Sequence, residues 1–219
     1  MRIIFIGAPG TGKGTQAQWI TEKYNIPKIS TGDILRNTTL ENTELSKKIK
    51  KIINSGKLVD DNIVTQLMEK RIEKKDCKKG FILDGFPRTI PQANSIKKTN
   101  IKIDVVISFI LEEKLILKRI LGRRIHIESG RIYHINFNPP NIENQDDITK
   151  QPLSIRSDDT EEKIKKRIKE YKMFTVPLIK YYKKEAILGN VKYYQIDANY
   201  TTVEIKNNIK NIINNMKCS

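Results

Sequence analysis

The sequence predicts a doubly wound α/β fold, in which a five-stranded parallel sheet carries helices on both faces. Three observations predict it. Short apolar, β-branched runs recur at Ile3 to Ile6, Lys28 to Ser30, Phe81 to Leu83, Val105 to Leu111 and Tyr193 to Ile196. Helical periodicity fills the stretches between them, and alternating strands and helices give a parallel sheet because each crossover helix returns the chain to the same end of it. The first run also passes directly into a glycine-rich loop, Gly7-Ala8-Pro9-Gly10-Thr11-Gly12-Lys13-Gly14-Thr15. In such folds a loop there sets a site at the carboxyl ends of the strands.

A chain of 219 residues fits one domain, 1–219, with a real core and room for insertions. No stretch approaches the ~20 apolar residues of a membrane span, and Ile3 to Ile6 is too short for a signal peptide. The expectation is a cytoplasmic protein without a membrane partner. Cys77 and Cys218 stand outside any paired metal or redox spacing, which predicts reduced thiols, the second in a frayed tail. A net charge of +16 is compatible with nucleic acid, an anionic surface or a polyanionic substrate. Much of the excess, however, sits in lysine runs interleaved with isoleucine at helical spacing, as in Lys163 to Lys172, and a solvated helix face accounts for those.

Taken in order, the first strand feeds a loop whose glycines let backbone N–H groups converge on an anion, with Lys13 supplying a point charge. A helix starts near Gly14 and runs to Tyr24, its N-terminal dipole aimed at the same anion. Gly14 separates Lys13 from Thr15, so the hydroxyl expected on the magnesium side comes one residue later than in the generic loop. Between the second and third strands lie helical stretches at Asp33 to Thr39, Glu44 to Ser55 and Asp61 to Lys75, more than one crossover needs. The third strand delivers Asp84 at its carboxyl end. After a helix over Glu112 to Leu121, Gly122 to Asp159 turns polar, with β-like pieces at Ile125 and Ile132 to Phe137; a structureless loop of that length is uncommon, so a small mobile insert is expected. Thr160 to Met173 resumes as helix interrupted by Pro177, and Val203 to Met216 closes the chain as an amphipathic helix.

The chemistry follows from the residue types. A carboxylate at the end of the third strand lies beside the phosphate loop, where phosphoryl-transfer enzymes hold magnesium or its waters. Arg36, Arg88, Arg119, Arg123, Arg156 and Arg167 fall near strand ends or insert junctions, and guanidinium forks match phosphate oxygens bidentately. The only histidines, His126 and His134, both lie in the polar insert. If the acceptor is a phosphate oxygen, already anionic, no proton-abstracting base is required.

Gly7 to Thr15, Ser30-Thr-Gly-Asp-Ile-Leu-Arg36, Gly80-Phe-Ile-Leu-Asp-Gly-Phe-Pro-Arg88 with Gln92, Gly122-Arg-Arg124 and Arg156-Ser-Asp-Asp159 resemble the adenylate kinase family in its bacterial long-lid form. The resemblance runs nearly end to end. It implies a nucleoside-monophosphate-binding insert near 30–59, a lid near 122–159, and the reversible reaction of MgATP with AMP to give two ADP. By the same resemblance Gly10, Thr11, Gly12, Lys13, Gly14 and Thr15 hold the ATP phosphates. Arg123, Arg156 and Arg167 close over the transferring phosphoryl group. Arg36 and Arg88 grip the AMP phosphate, with Arg156 and Arg167 also reaching it. Thr31, Lys57, Leu58, Val59, Gly85, Phe86, Pro87 and Gln92 line the AMP pocket. Arg119, Ile132 and Tyr133 form the ATP adenine platform, and main-chain atoms near Tyr200 touch the same base. Mg2+ bound with ATP lies near Thr15 and Asp84, and Asp158 and Asp159 orient the lid-side arginines.

Where some relatives hold a structural zinc, His126, Ser129, Asp146 and Thr149 resemble a hydrogen-bonded, zinc-free lid. A uridylate/cytidylate kinase shares the loop and the arginines, but Thr31 and Gln92 favour adenine. A nucleotide-dependent nucleic-acid binder explains the charge yet leaves the second phosphate pocket without purpose, and no basic strand face carries an aromatic cluster. The family suggests a monomer whose partners are ATP, AMP and ADP, with no nucleic acid.

Overall fold

The computed structural model describes residues 1–99 and 101–217; Cys218, expected in a frayed tail, lies outside the described residues. Its strands are β1 (Arg2–Gly7), β2 (Lys28–Ser30), β3 (Phe81–Asp84), β4 (Val105–Ile110), β5 (Arg123–Ile125), β6 (Ile132–His134) and β7 (Lys192–Asp197). Five of them form one parallel sheet in the order β2-β3-β1-β4-β7, and β5 and β6 form a separate antiparallel pair. The register sets Asp84 beside both Phe5 and Ser30, and Gly7 beside Phe109. Strand ends that carry polar or glycine residues are thereby brought level at one edge of the core.

Alternation along the strands builds two cores. Ile4, Ile6, Leu83 and Val106 face one side of the sheet, and Ile3, Phe5, Ile82, Val105 and Ile107 face the other. The first layer is covered by α3 (Glu44–Asn54), α4 (Asp61–Ile72), α5 (Ile90–Lys98) and α8 (Val176–Ile187), through Ile49, Met68, Ala93 and Leu178. The second is covered by α1 (Lys13–Tyr24) and α9 (Thr202–Lys217), through Ala17, Ile20, Ile205, Ile209 and Ile213. Both faces of the central strands β1, β3 and β4 are dry, which is why their runs read as continuously apolar, whereas the edge strands β2 and β7 are partly exposed. A third cluster packs Ala8 of the glycine-rich loop on Ile116 and Ile120 of α6 (Glu113–Leu121) and on Ile164 and Ile168 of α7 (Glu161–Glu170).

Caps fix where the helices near the cleft begin. Ser30 accepts from the Asp33 N–H at the start of α2 (Thr31–Thr38), Thr43 and Ser46 form a reciprocal capping box on α3, and Asp60 accepts from Asn62 and Ile63 at α4. Each polar side chain satisfies N–H groups that have no partner inside the helix.

One helix differs from its reading in the sequence. Pro177 does not interrupt it: α7 passes through a π turn at Tyr171–Thr175 into α8, with the Val176 N–H bonded to Tyr171. Pro177 falls in the first turn of α8, where a missing N–H costs little. The wider turn points Tyr171 and Thr175 at the cleft, and the Thr175 hydroxyl donates to the Arg88 carbonyl at 3.0 Å. Single π turns of this kind recur where a helix serves a site.

Candidate active site

A cleft of about 650 Å³ opens over the carboxyl ends of β1 and β3. Its floor is the glycine-rich loop, where Gly10 and Gly12 hold φ of 79° and 86°, values open to glycine and costly for other residues. The Thr11 hydroxyl donates to the Ala8 carbonyl at 2.9 Å. Lys13 Nζ lies over the same turn, donating to the Gly7 and Ala8 carbonyls at 2.8 and 2.7 Å and to Thr11 Oγ1 at 3.1 Å. Burial pushes the Lys13 ammonium down to about 8; Asp84 opposes the fall, and Arg88, Arg167 and Arg123 add to it. An enclosed cation among cations gains when a polyanion enters.

Five arginines face the loop from other elements. Arg36 on α2 pairs with Asp33, and Arg156 reaches the same carboxylate from the far side of the cleft at 3.6 Å. Arg123 on β5 makes a two-bond fork to the buried Asp159, and Arg167 on α7 donates to Asp158 at 3.1 Å and to Asp159 at 3.2 Å. Arg88 donates through Nε to the Gly85 carbonyl at 2.9 Å. Burial lowers Arg88 and Arg156 to about 10, with Arg167 the next contributor at Arg88 and Arg123 at Arg156. Burial alone would raise Asp33 and Asp158, but Arg36 and Arg167 respectively lead the interactions that bring both carboxyls below their ordinary value. Arg156 Nε is buried and has no partner within the protein. Such an atom suits an external anion.

On the side of the 30–59 segment, Lys57, Leu58, Val59, Gly85, Pro87 and Arg88 reach the wall. A Cβ on Gly85 would stand 2.9 Å from both Arg88 Nη2 and Thr31 Oγ1, so only glycine lets these side chains meet. Thr31, Phe86, Gln92 and Asp159 do not reach the wall. Thr31 is buried with its hydroxyl on the Gly85 carbonyl, and Phe86 belongs to the core. The Gln92 carboxamide is held by the Arg88 N–H and Asp61. Lys28, Leu35 and Ile53 reach the wall as well; nothing in their sequence context sets them apart from core or surface residues.

Arg119, Ile132, Tyr133 and Tyr200 border the opposite end, next to Phe137, which sequence reasoning missed. The Arg119 guanidinium carbon sits 5.4 Å from the Phe137 ring centre, and the His134 ring packs on Phe137 at 4.5 Å. The only signal was that Phe137 is, with Tyr133, one of two aromatic residues in segment 122–159. Tyr133 also serves the interior of the hairpin, its hydroxyl donating to Asp146 Oδ1 at 2.9 Å and accepting from the Asp147 N–H at 3.0 Å.

His126, Ser129, Asp146 and Thr149 meet in one hydrogen-bonded group. His126 Nδ1 accepts from the Ser129 N–H at 3.3 Å and takes the Ser129 hydroxyl at 2.7 Å, which leaves Nε2–H to donate to Gln151 Oε1 and to Thr149 Oγ1. Thr149 in turn donates to Asp146 Oδ2 at 2.9 Å, and Arg131 clasps Asp146 with bonds of 2.8 and 2.6 Å. The Arg131 fork leads the interactions holding the buried Asp146 carboxyl far below the usual carboxylate range. Arg131, Tyr133 and Gln151 were not foreseen as members of this group.

For magnesium the site offers Thr15 and one carboxylate, Asp84, whose Oδ2 lies 3.5 Å from where a Cβ on Gly14 would stand. A single acid and a hydroxyl fit an ion that keeps most of its waters and arrives on nucleotide phosphates.

A parallel sheet with a glycine-lysine phosphate loop, and a second cluster of arginines across the same cleft, define a phosphotransferase that handles two phosphorylated ligands at once. The adenylate kinase family model matches residues 5–187, and the chain belongs to that family. It is a nucleoside monophosphate kinase, a transferase acting on ATP, AMP and ADP; members of the family use Mg2+ with ATP.

Proposed function

We propose that this chain moves a phosphoryl group between MgATP, seated on residues 10–15, and AMP, seated against Arg36 and Arg88. The observation that carries this division is the convergence of Lys13, Arg36, Arg88, Arg123, Arg156 and Arg167 on one cleft, with the phosphate loop at one side and Lys57 to Val59 at the other. Both substrates carry anionic phosphates that repel each other, so bringing them together is the main barrier the protein can lower. The six cations offset that repulsion, and the three carboxylates paired with arginines among them, Asp33, Asp158 and Asp159, keep those side chains aimed before nucleotides arrive.

Lys13 serves the outer ATP phosphates. Arg123, Arg156 and Arg167 spread over the transferring group, where charge is shared among equatorial oxygens. The AMP oxygen is already ionised at neutral pH, so no side chain has to take a proton from it. His134 could not do so, since its Nδ1 accepts the N–H groups of Asn136 and Phe137 and burial lowers its pKa. Mg2+ near Thr15 and Asp84 would supply charge to the β and γ phosphates when bound. Segment 122–159 is the lid: it carries Arg123 and Arg156 and excludes water that would otherwise take the phosphoryl group. Segment 30–59 is the AMP-side insert. The His126 group makes the lid's interior self-sufficient without zinc, because both ring nitrogens of its histidine are engaged.

Among the described residues no helix is long and apolar enough to cross a membrane. The working form we propose is a cytoplasmic monomer without nucleic-acid or membrane partners. The test is a coupled assay with MgATP and one monophosphate at a time. Turnover of AMP well above UMP, CMP and GMP supports the proposal, and preference for UMP or CMP overturns it.

A further inference from the structure

We infer that Asp61 is a positioning residue for the AMP side of the reaction, acting through Gln92 on Arg88. Asp61 opens α4, the helix by which the chain leaves the 30–59 segment, and its side chain is half-buried. It spans to the loop after β3. Oδ2 accepts the Thr89 hydroxyl at 2.7 Å and Oδ1 accepts Gln92 Nε2 at 2.6 Å, while Gln92 Oε1 accepts the Arg88 N–H at 2.7 Å. Thr89 Oγ1 also receives the Gln92 N–H at 3.3 Å, which caps α5.

The logic rests on Asp61 being an acceptor only. A carboxylate has no proton to offer, so Gln92 must turn its NH2 toward Asp61 and its oxygen toward Arg88. The flipped amide would face oxygen against carboxylate and NH2 against N–H, losing both bonds. Gln92 is 2% exposed, so water cannot take over either contact, and an unpaired buried group costs ~1–3 kcal/mol. The orientation of the Arg88 backbone is thereby set from Asp61. The Arg88 guanidinium is tied by Nε to the Gly85 carbonyl, which fixes how it meets a phosphate. This inference rests on the proposed role of Arg88 at the AMP phosphate.

Steady-state kinetics of variants test it. Asp61→Ala should raise KM for AMP about tenfold while KM for ATP stays within twofold. Asp61→Asn should recover most of the loss, since its oxygen can still accept from Gln92 while its NH2 donates to Thr89 Oγ1. Asp60→Ala is the control, because Asp60 caps the same helix at Asn62 and Ile63 without touching Gln92; it should lower the melting temperature and leave KM for AMP unchanged. In the Gln92→Ala background Asp61→Ala should add little, as expected when one residue works through another.

An Asp61→Ala enzyme that matches Asp60→Ala, or whose effects add to those of Gln92→Ala, overturns the inference. If Arg88→Ala and Gln92→Ala leave KM for AMP unchanged, the site assignment has failed instead. Independently of any variant's folding, the Gln92 side-chain amide protons of the wild-type enzyme should exchange slowly with solvent. Fast exchange removes the contact on which the inference stands.

Discussion

Replacing Gly122 with alanine probes how segment 122–159 packs against α6. Gly122 has φ of −82°, open to any residue, so backbone strain has no part in the outcome. Space decides it. A Cβ there would stand 2.4 Å from both Cε1 and Nε2 of His134 and 3.0 Å from Cγ1 of Ile135, whereas carbon atoms attract best at ~3.5–4.0 Å. The imidazole has no room to yield, being buried and pinned by the N–H groups of Asn136 and Phe137 at 2.9 and 3.1 Å. Forcing a methyl group into a packed site costs ~1–3 kcal/mol, and each kcal/mol moves the melting temperature of a chain this size by ~2–4 °C. The hairpin must therefore move off α6 and take Phe137 away from Arg119. A cation over an exposed ring such as Phe137 contributes ~0.5–1 kcal/mol, and ~1.4 kcal/mol is tenfold in affinity. The expected result is a melting temperature lowered by several degrees and KM for ATP raised about two- to fivefold, with KM for AMP little changed. A Gly122→Ala enzyme with wild-type melting temperature and wild-type KM for ATP refutes the reasoning.

Lys13→Met should abolish turnover with the fold intact, as judged by circular dichroism. Because folding lowers the Lys13 pKa from its ordinary value to about 8, the charged form opposes folding at neutral pH, and that penalty fades as pH rises from about 8 toward 10. The Lys13→Met protein should thus melt higher than wild type at pH 7, with the gap closing near pH 10; a gap independent of pH counts against the enclosed ammonium. Arg123→Ala should slow turnover at least tenfold, or about 1.4 kcal/mol, and near-wild-type rates would remove it from the transferring phosphoryl group. EDTA, without magnesium or nucleotide, should leave the melting temperature unchanged, whereas stoichiometric zinc in the purified protein would contradict the lid assignment.

The middle of the sheet was legible because both faces of β1 and β4 are dry: Ile3 to Ile6 and Val105 to Ile107 are at most 1% exposed, so no polar alternation blurs those runs. The phosphate loop was legible because its spacing is local, every glycine and Lys13 acting within nine residues of chain. What the sequence hid depends on distance or on backbone detail. Pro177 reads as a helix breaker unless a π turn stands just before it, and no residue type announces that turn. Arg131 and Gln151 look like any charged or polar loop residues until Asp146 and His126 are folded against them. Gln92 is the sharpest case. Its pocket-facing role was expected from neighbouring motif residues, but the direction of its carboxamide is set by Asp61, thirty-one positions earlier in the chain. A motif specifies which groups are available, and the acceptor-only chemistry of a remote carboxylate specifies which way they point. Sites whose selectivity depends on an amide's orientation should therefore be sought one hydrogen bond beyond the motif, at the groups that leave the amide a single way to bond.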